Sequence, residues 1–265
     1  MFLAIDIGNT HTVLGVYRKS KLIAHWRIAS TATVTEKELS SLNQTFFAKE
    51  KIDPADIESV GISSVVPALT ETYVEMSKHL FHQSPLIISS DLYLGIKIHY
   101  ENPSTLGADR LCNAIAGHEK YRGPLIIIDF GTATTYDVIA TNGDFLGGVI
   151  SPGIGTMAAA LHQRTAKLPT IDLQLPKSVI GITTIASMQT GILLGAVDAA
   201  AGMVNRVQKE LLKTEKKKAV VVATGGFSEF VSKHSAIIQH VEPFLVLDGI
   251  RLVYEHTQKT KKKKR

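Results

Sequence analysis

One short pattern occurs twice in this chain of 265 residues. Phe2-Leu3-Ala4-Ile5 runs directly into Asp6-Ile7-Gly8, and Leu125-Ile126-Ile127-Ile128 runs directly into Asp129-Phe130-Gly131. Each copy reads as a buried strand that ends on an acid, then a tight turn and further strands: Val13 to Tyr17 after the first, Thr134 to Ile139 and Phe145 to Ile150 after the second. A lone Asp-x-Gly-x-Thr is more often a plain hairpin turn with an Asx cap. The recurrence of the apolar run with Asp-x-Gly at the head of each half implies two subdomains of one architecture, facing each other across a cleft with an aspartate-bearing turn on each wall.

Such turns suit a phosphate ligand. Gly8 lets the backbone come close to it, Asn9 and Thr10 offer donors to phosphate oxygens, and Asp6 can hold a cation directly or through water. The expected occupant is a nucleotide with its metal ion.

Bulk composition excludes several classes. With 45% hydrophobic and 20% charged residues the chain is ordinary globular protein, long enough for two domains. A single cysteine, Cys112, rules out an internal disulfide and suits a reducing compartment. The start lacks a secretory layout, and no uninterrupted apolar segment is long enough for a bilayer, so a cytoplasmic protein without membrane attachment is expected. Much of the formal charge of +5 lies in Lys259 to Arg265. With no aromatic residue interleaved, 258–265 reads as a disordered, solvated tail, and no nucleic-acid partner is expected.

Along the first half, Leu22 to Ile28 reads as a third strand and Glu36 to Lys51 as an amphipathic helix with Leu39, Leu42, Phe46 and Phe47 on one side. Ser59 to Val66 reads as a buried strand, Leu69 to Phe81 as a helix, Leu86 to Ser89 as a short strand, and Gly95 to Tyr100 as an apolar segment. Ser63 and Ser64 place two hydroxyls in or beside a strand, either towards the ligand or as strand and turn residues. Three strands and a helix are how a ribonuclease-H-like half begins.

The most informative polar cluster is Asn102 to Arg110. Pro103 restrains the approach, Gly107 permits a close turn, and a helix follows over Leu111 to Lys120. Asp109 and Arg110 near that helix start read either as a dipole complement with its ion-pair partner or as a general base beside a binder of carboxylate or phosphate. Tyr100 lines the same pocket or packs at a strand end.

The second half adds a glycine-rich stretch, Gly147 to Gly155, a helix over Thr156 to His162, and a long helix from Thr184 to about Leu212. Gly191, Gly195 and Gly202 inside the long helix suggest close helix packing, with a partner subunit as one candidate. Ala219 to Ala223 reads as a strand leading into the Thr224-Gly225-Gly226 turn, and Phe244 to Gly249 with a helix over Ile250 to His256 closes the half. The expected limits are 1–117 and 118–257.

With these landmarks in order the chain resembles the type III pantothenate kinases, of the acetate and sugar kinase, Hsp70 and actin superfamily. The motifs that carry the resemblance are Asp6-x-Gly8-Asn9-Thr10, Ser63-Ser64-Val65-Val66-Pro67, Gly107-Ala108-Asp109-Arg110, Asp129-Phe130-Gly131-Thr132, Gly148-x-Ile150-x-Pro152-Gly153, Thr165-Ala166-x-Leu168-Pro169 and Thr224-Gly225-Gly226. The fold it implies is α/β, two ribonuclease-H-like (actin-like ATPase) subdomains of duplicated βββαβαβ topology. The activity it implies is ATP-dependent phosphorylation of pantothenate on its terminal hydroxyl, the first step of coenzyme A synthesis, by a homodimeric enzyme.

Residue by residue, the resemblance implies that Asp6, Ile7, Gly8, Asn9, Thr10, His11, Thr12 and Val13 wrap the ATP phosphates, with Asp6 near magnesium. It implies nucleotide contacts from Thr132 and from Thr224, Gly225 and Gly226. Asp129 corresponds to the ligand of a monovalent cation, potassium or ammonium. Asp109 corresponds to the proton acceptor, and Tyr100, Gly107, Ala108, Asp109, Arg110 and Thr184 to the pantothenate site, Thr184 across a dimer interface. Two rivals share these features: a kinase of the same superfamily for another small alcohol, and an idle relative with a regulatory role.

Overall fold

The computed structural model describes residues 1–92 and 95–263, and it divides into two units. In the first, strand β1 (Phe2–Ile7) is apolar except for Asp6 and is covered on both faces, the pattern of a central strand. It pairs antiparallel with β2 (His11–Arg18), which pairs antiparallel with β3 (Lys21–Ala29). On its other edge β1 pairs parallel with β4 (Ser59–Ser64), and β4 with β5 (Leu86–Ile87). The sheet order is therefore β3-β2-β1-β4-β5.

Alternation along β1 assigns the two faces. Leu3, Ile5 and Ile7 enter a core with helices α1 (Glu36–Lys49) and α2 (Pro67–Phe81), where Trp26 stacks on Phe46 and Phe47. Helix α1 starts on a capping box between Thr35 and Glu38, and α2 starts with Pro67 in its first turn. Phe2, Ala4 and Asp6 point the other way. Helix α3 (Ala108–Tyr121) places Cys112 near Asp6 on this face.

The second unit repeats the plan. Strand β6 (Leu125–Phe130) pairs antiparallel with β7 (Ala133–Ile139), and β7 with β8 (Phe145–Pro152). On its parallel side lie β9 (Val220–Thr224) and β10 (His240–Val241), giving the order β10-β9-β6-β7-β8. Strand for strand this is the order of the first sheet, so the duplication read from two Asp-x-Gly turns extends to the whole topology, the ribonuclease-H-like plan of the actin-like ATPases. Helices α4 (Ile154–Arg164), α5 (Thr184–Leu211) and α6 (Ser228–His234) accompany this sheet.

Helix α5 is, among the described residues, the one helix long and apolar enough to cross a membrane. Asp198 interrupts it, and its stripe of Met188, Ile192, Leu193, Val197 and Val204 is packed into the second core. The glycines of α5 make no close packing within the chain: a Cβ at Gly191, Gly195 or Gly202 would meet nothing within 4 Å.

The last helix corrects the expected limits. Helix α7 (Leu245–Lys263) belongs to the first unit, together with 1–96 and 100–116, and not to the second half. Its fit explains why: a Cβ at Gly15 would come within 2.7 Å of Leu247, and one at Gly61 within 2.7 Å of Ile250, so two glycines open the first sheet to this helix. Tyr17 also donates a hydrogen bond to Asp248 at 2.9 Å. The helix continues through 258–263, where a disordered tail was expected, and residues 264 and 265 lie outside the described residues. The apolar segment over 95–100 forms no strand, only a bridge from Ile98 to Phe145. Helix α6 and strand β10 were not foreseen, being too short to show a period.

Candidate active site

In the first unit the β1–β2 turn is closed by the Gly8 amide, which donates to the His11 carbonyl at 3.1 Å. A Cβ at Gly8 would stand 3.0 Å from that same oxygen, so glycine suits the tight closure. Asn9 and Thr10 are exposed at its tip, whereas Ile7 and Thr12 are buried and offer a ligand at most their main chain. Thr12 bonds Ser30 at 3.0 Å. Arg27 lies 3.1 Å from the His11 ring, and burial with that charge lowers the imidazole pKa, favouring the neutral form.

Asp6 stands at the end of β1 in register with Ser63 of β4, and the Ser63 hydroxyl donates to Asp6 Oδ1 at 2.9 Å. Ser64 is spent locally: its oxygen accepts from the Val66 amide at 3.1 Å and contacts the Thr70 hydroxyl at 2.7 Å, fixing the entry to α2. The two adjacent serines thus divide the roles that the sequence left open between them.

The Asn102 to Arg110 cluster forms a short 3-10 turn over Pro103–Thr105, capped by Asn102, and then α3. The Gly107 carbonyl accepts from the Leu111 amide, so Gly107 stands at the helix entry. A Cβ there would come within 2.3 Å of Asp109 Oδ1, which shows how closely the carboxylate lies over this glycine. Burial raises the Asp109 carboxyl above its ordinary pKa, and the Arg110 amide and guanidinium offset this only in part. An acid kept merely as a helix-dipole complement would be lowered instead. Arg110 is itself buried and donates to the Tyr100 hydroxyl at 3.1 Å, with its guanidinium 5.8 Å from that ring's centre.

Cys112, one turn further along α3, was missed by sequence reasoning. Burial pushes its thiol pKa well up, the charges of Asp6 and Asp109 add to the rise, and a hydrogen bond with Ser63 opposes it. This electrostatic coupling places Asp6, Ser63, Cys112 and Asp109 in one neighbourhood. No local sequence signal joins them, because the link runs through strand register and helix packing.

In the second unit the corresponding acid is Asp129, in register with Thr224 of β9. Gly225 has φ +85°, and a Cβ there would lie 2.3 Å from Asp129 Oδ1 and 2.7 Å from the Phe130 backbone, so this turn presses against the acid. Thr224 is buried, leaving the Gly225-Gly226 backbone as the open part of that turn. Thr132 is exposed, and its carbonyl accepts from the Gly153 amide at 3.0 Å. Thr184 is exposed at the first position of α5, behind the cap formed by Thr183. Among the described residues no three His, Cys, Asp or Glu side chains gather to hold a metal ion.

A duplicated ribonuclease-H-like fold with an aspartate over a glycine turn at the head of each sheet defines the acetate and sugar kinase, Hsp70 and actin class. Two solved structures share the fold, though at low identity. One is a conserved Campylobacter jejuni protein provisionally assigned to the Baf family of transcriptional activators (17% identity, TM-score 0.59, covering 97% of this chain and 99% of that one). The other is the Clostridium difficile activator of 2-hydroxyisocaproyl-CoA dehydratase, solved with ADPNP (15% identity, TM-score 0.54, covering 99% and 97%). The family model described as type III pantothenate kinase matches residues 2–206. The type III pantothenate kinase of Exiguobacterium sp. (strain AT1b) is 45% identical over 259 residues, covering 98% of this chain and all of that one. The chain belongs to the type III pantothenate kinase family.

Proposed function

We infer that this protein transfers the γ-phosphoryl group of ATP to the terminal hydroxyl of pantothenate, giving 4'-phosphopantothenate and ADP, the first step of coenzyme A biosynthesis. The observation that carries this is family membership along the whole chain. The first unit's geometry supports it: a half-buried carboxyl whose desolvation raises its pKa, Asp109, beside a buried arginine.

Asp109 takes the hydroxyl proton as the oxygen attacks phosphorus, and the electron pair of the breaking bond leaves with ADP. Arg110 binds the pantothenate carboxylate, held in place by Tyr100, and Gly107 with Ala108 gives the substrate a close approach. The exposed tip of the Gly8 to Val13 stretch meets the ATP phosphates.

The donor set fits magnesium. The Asp6 carboxylate, one oxygen of which accepts from Ser63, suits an ion bound mainly by phosphates and water. Asp6 would hold it, and there it would neutralise charge on the transferring group. Asp129 is read as the ligand of potassium or ammonium, and Thr132 with Gly225 and Gly226 as nucleotide contacts.

The working form is read as a cytoplasmic homodimer. Its support is the exposed small-residue stripe of Gly191, Gly195 and Ala199 on α5, close in sequence to exposed Ile182 and Ile185. Thr184 lies beside that stripe and is read as a substrate contact completed across the dimer.

ATP consumption measured with and without pantothenate, in potassium and in sodium buffer, tests the proposal. Pantothenate-dependent turnover that is faster in potassium is expected. Turnover absent in both, with binding of DNA at moderate salt, would favour a regulatory relative instead.

A further inference from the structure

The two acids have the same kind of neighbour. Asp6 at the end of β1 is in register with Ser63 on the parallel strand β4, and Asp129 at the end of β6 with Thr224 on the parallel strand β9. Strands β4 and β9 hold the same place in the two sheet orders. Register partners on adjacent strands put their side chains side by side on one face. Both hydroxyl residues are buried, at 0% and 3% exposure, in strands whose other buried positions are apolar or glycine. A buried hydroxyl needs a partner. For Ser63 that partner is Asp6 Oδ1, at 2.9 Å.

We propose that Ser63 and Thr224 are positioning residues: Ser63 donates its hydroxyl hydrogen to Asp6, and Thr224, at the matching register position, is set to do the same for Asp129, each fixing the carboxylate's rotation and leaving the other oxygen for a cation. Torsion about the carboxylate bond is soft, so an acid without a donor samples a wide range of orientations. A hydroxyl held by the sheet removes that freedom before the cation arrives, as the partners of metal ligands generally do. Serine in one half and threonine in the other share only the hydroxyl, which is the part the role requires. Thr224 then acts through Asp129 instead of touching the nucleotide. The inference rests on the assignment of Asp6 and Asp129 as cation ligands.

The test measures binding of a non-hydrolysable ATP analogue by calorimetry across a magnesium series, with no turnover involved. Ser63→Ala is expected to raise the magnesium concentration for half-maximal binding about ten-fold. Ser63→Thr, which restores the hydroxyl, is expected to return it to within about two-fold of the parent protein. A simple packing defect would not be rescued by a larger side chain. Asp6→Asn separates the two layers. If it shifts the midpoint and Ser63→Ala does not, the positioning role is overturned. If Asp6→Asn itself shifts nothing, the Asp6 assignment falls and the inference falls with it. Should Ser63→Ala fail to fold, Ser63→Cys, a weaker donor of similar size, reads the same shift. A potassium series does the same for the second acid: Thr224→Val is expected to raise the midpoint and Thr224→Ser to leave it, and an unchanged valine variant overturns that half.

Discussion

Replacing Gly249 by alanine tests how the first unit is held together. Gly249 lies where α7 crosses α3, and a Cβ there would stand 2.1 Å from the Cys112 carbonyl oxygen, 2.4 Å from its carbon and 2.6 Å from its Cα. Ordinary contact between heavy atoms needs about 3.5 Å, so the helices must part by roughly 1 Å or more. Alanine is the better helix former by about 1 kcal/mol, which favours the substitution. Overpacking costs about 1–3 kcal/mol, and here the obstacle is backbone that cannot rotate aside, which puts the cost at the upper end. The net is a loss of about 1–2 kcal/mol, or a melting temperature lower by roughly 2–4 °C for a chain of this size. Cys112 lies one turn beyond Asp109 on α3, so the displacement reaches the proposed proton acceptor, and a misplacement of about 1 Å can cost on the order of 10²-fold in kcat/KM. Thermal melts and steady-state kinetics on parent and variant read both effects. A variant as stable as the parent, or more so, would refute the close crossing and with it the account of how α7 positions α3.

The remaining tests concern Asp109 and the exposed stripe of α5. Asp109→Asn should lower turnover by roughly 10² or more while nucleotide binding persists, and an enzyme that keeps most of its turnover removes Asp109 from the role. Its pH dependence has a definite sign. Burial raises the Asp109 pKa in the folded state, so kcat/KM should fall as pH drops through a value above the ordinary carboxylate range of about 3.9. The ionised group opposes folding above that value, and this penalty fades as pH falls towards the unfolded-state pKa; Asp109→Asn should therefore be no less stable than the parent at pH 7. A melt showing the variant clearly weaker at neutral pH contradicts the burial argument. For the assembly, Gly195→Leu puts a bulky side chain on the exposed stripe of α5, and light scattering should then report a monomer's mass where the proposed dimer of the parent would give twice that.

Several elements were legible because their cause is local. The run from Phe2 into Asp6-Ile7-Gly8 states a strand, an acid and a turn within a few residues, and its second copy at Leu125 states the duplication. Helix α1 shows itself through apolar spacing, and the Gly107 to Arg110 cluster through its turn chemistry. Family motifs in order along the chain named the family that the comparisons then established. Helix α6 and strand β10 escaped because seven and two residues carry too little period to read.

Sequence alone therefore determined the two-fold repeat, the α/β class, the acids at the strand ends and the family, all of them patterns contained in one segment or repeated in another. Tertiary structure alone decided that α7 returns to the first sheet through the space left at Gly15 and Gly61, that Ser63 and not Ser64 meets Asp6, and that Asp109 is raised where a helix start would lower it. Register, desolvation and close crossing depend on which distant residues share a face, and no stretch of chain carries that information by itself.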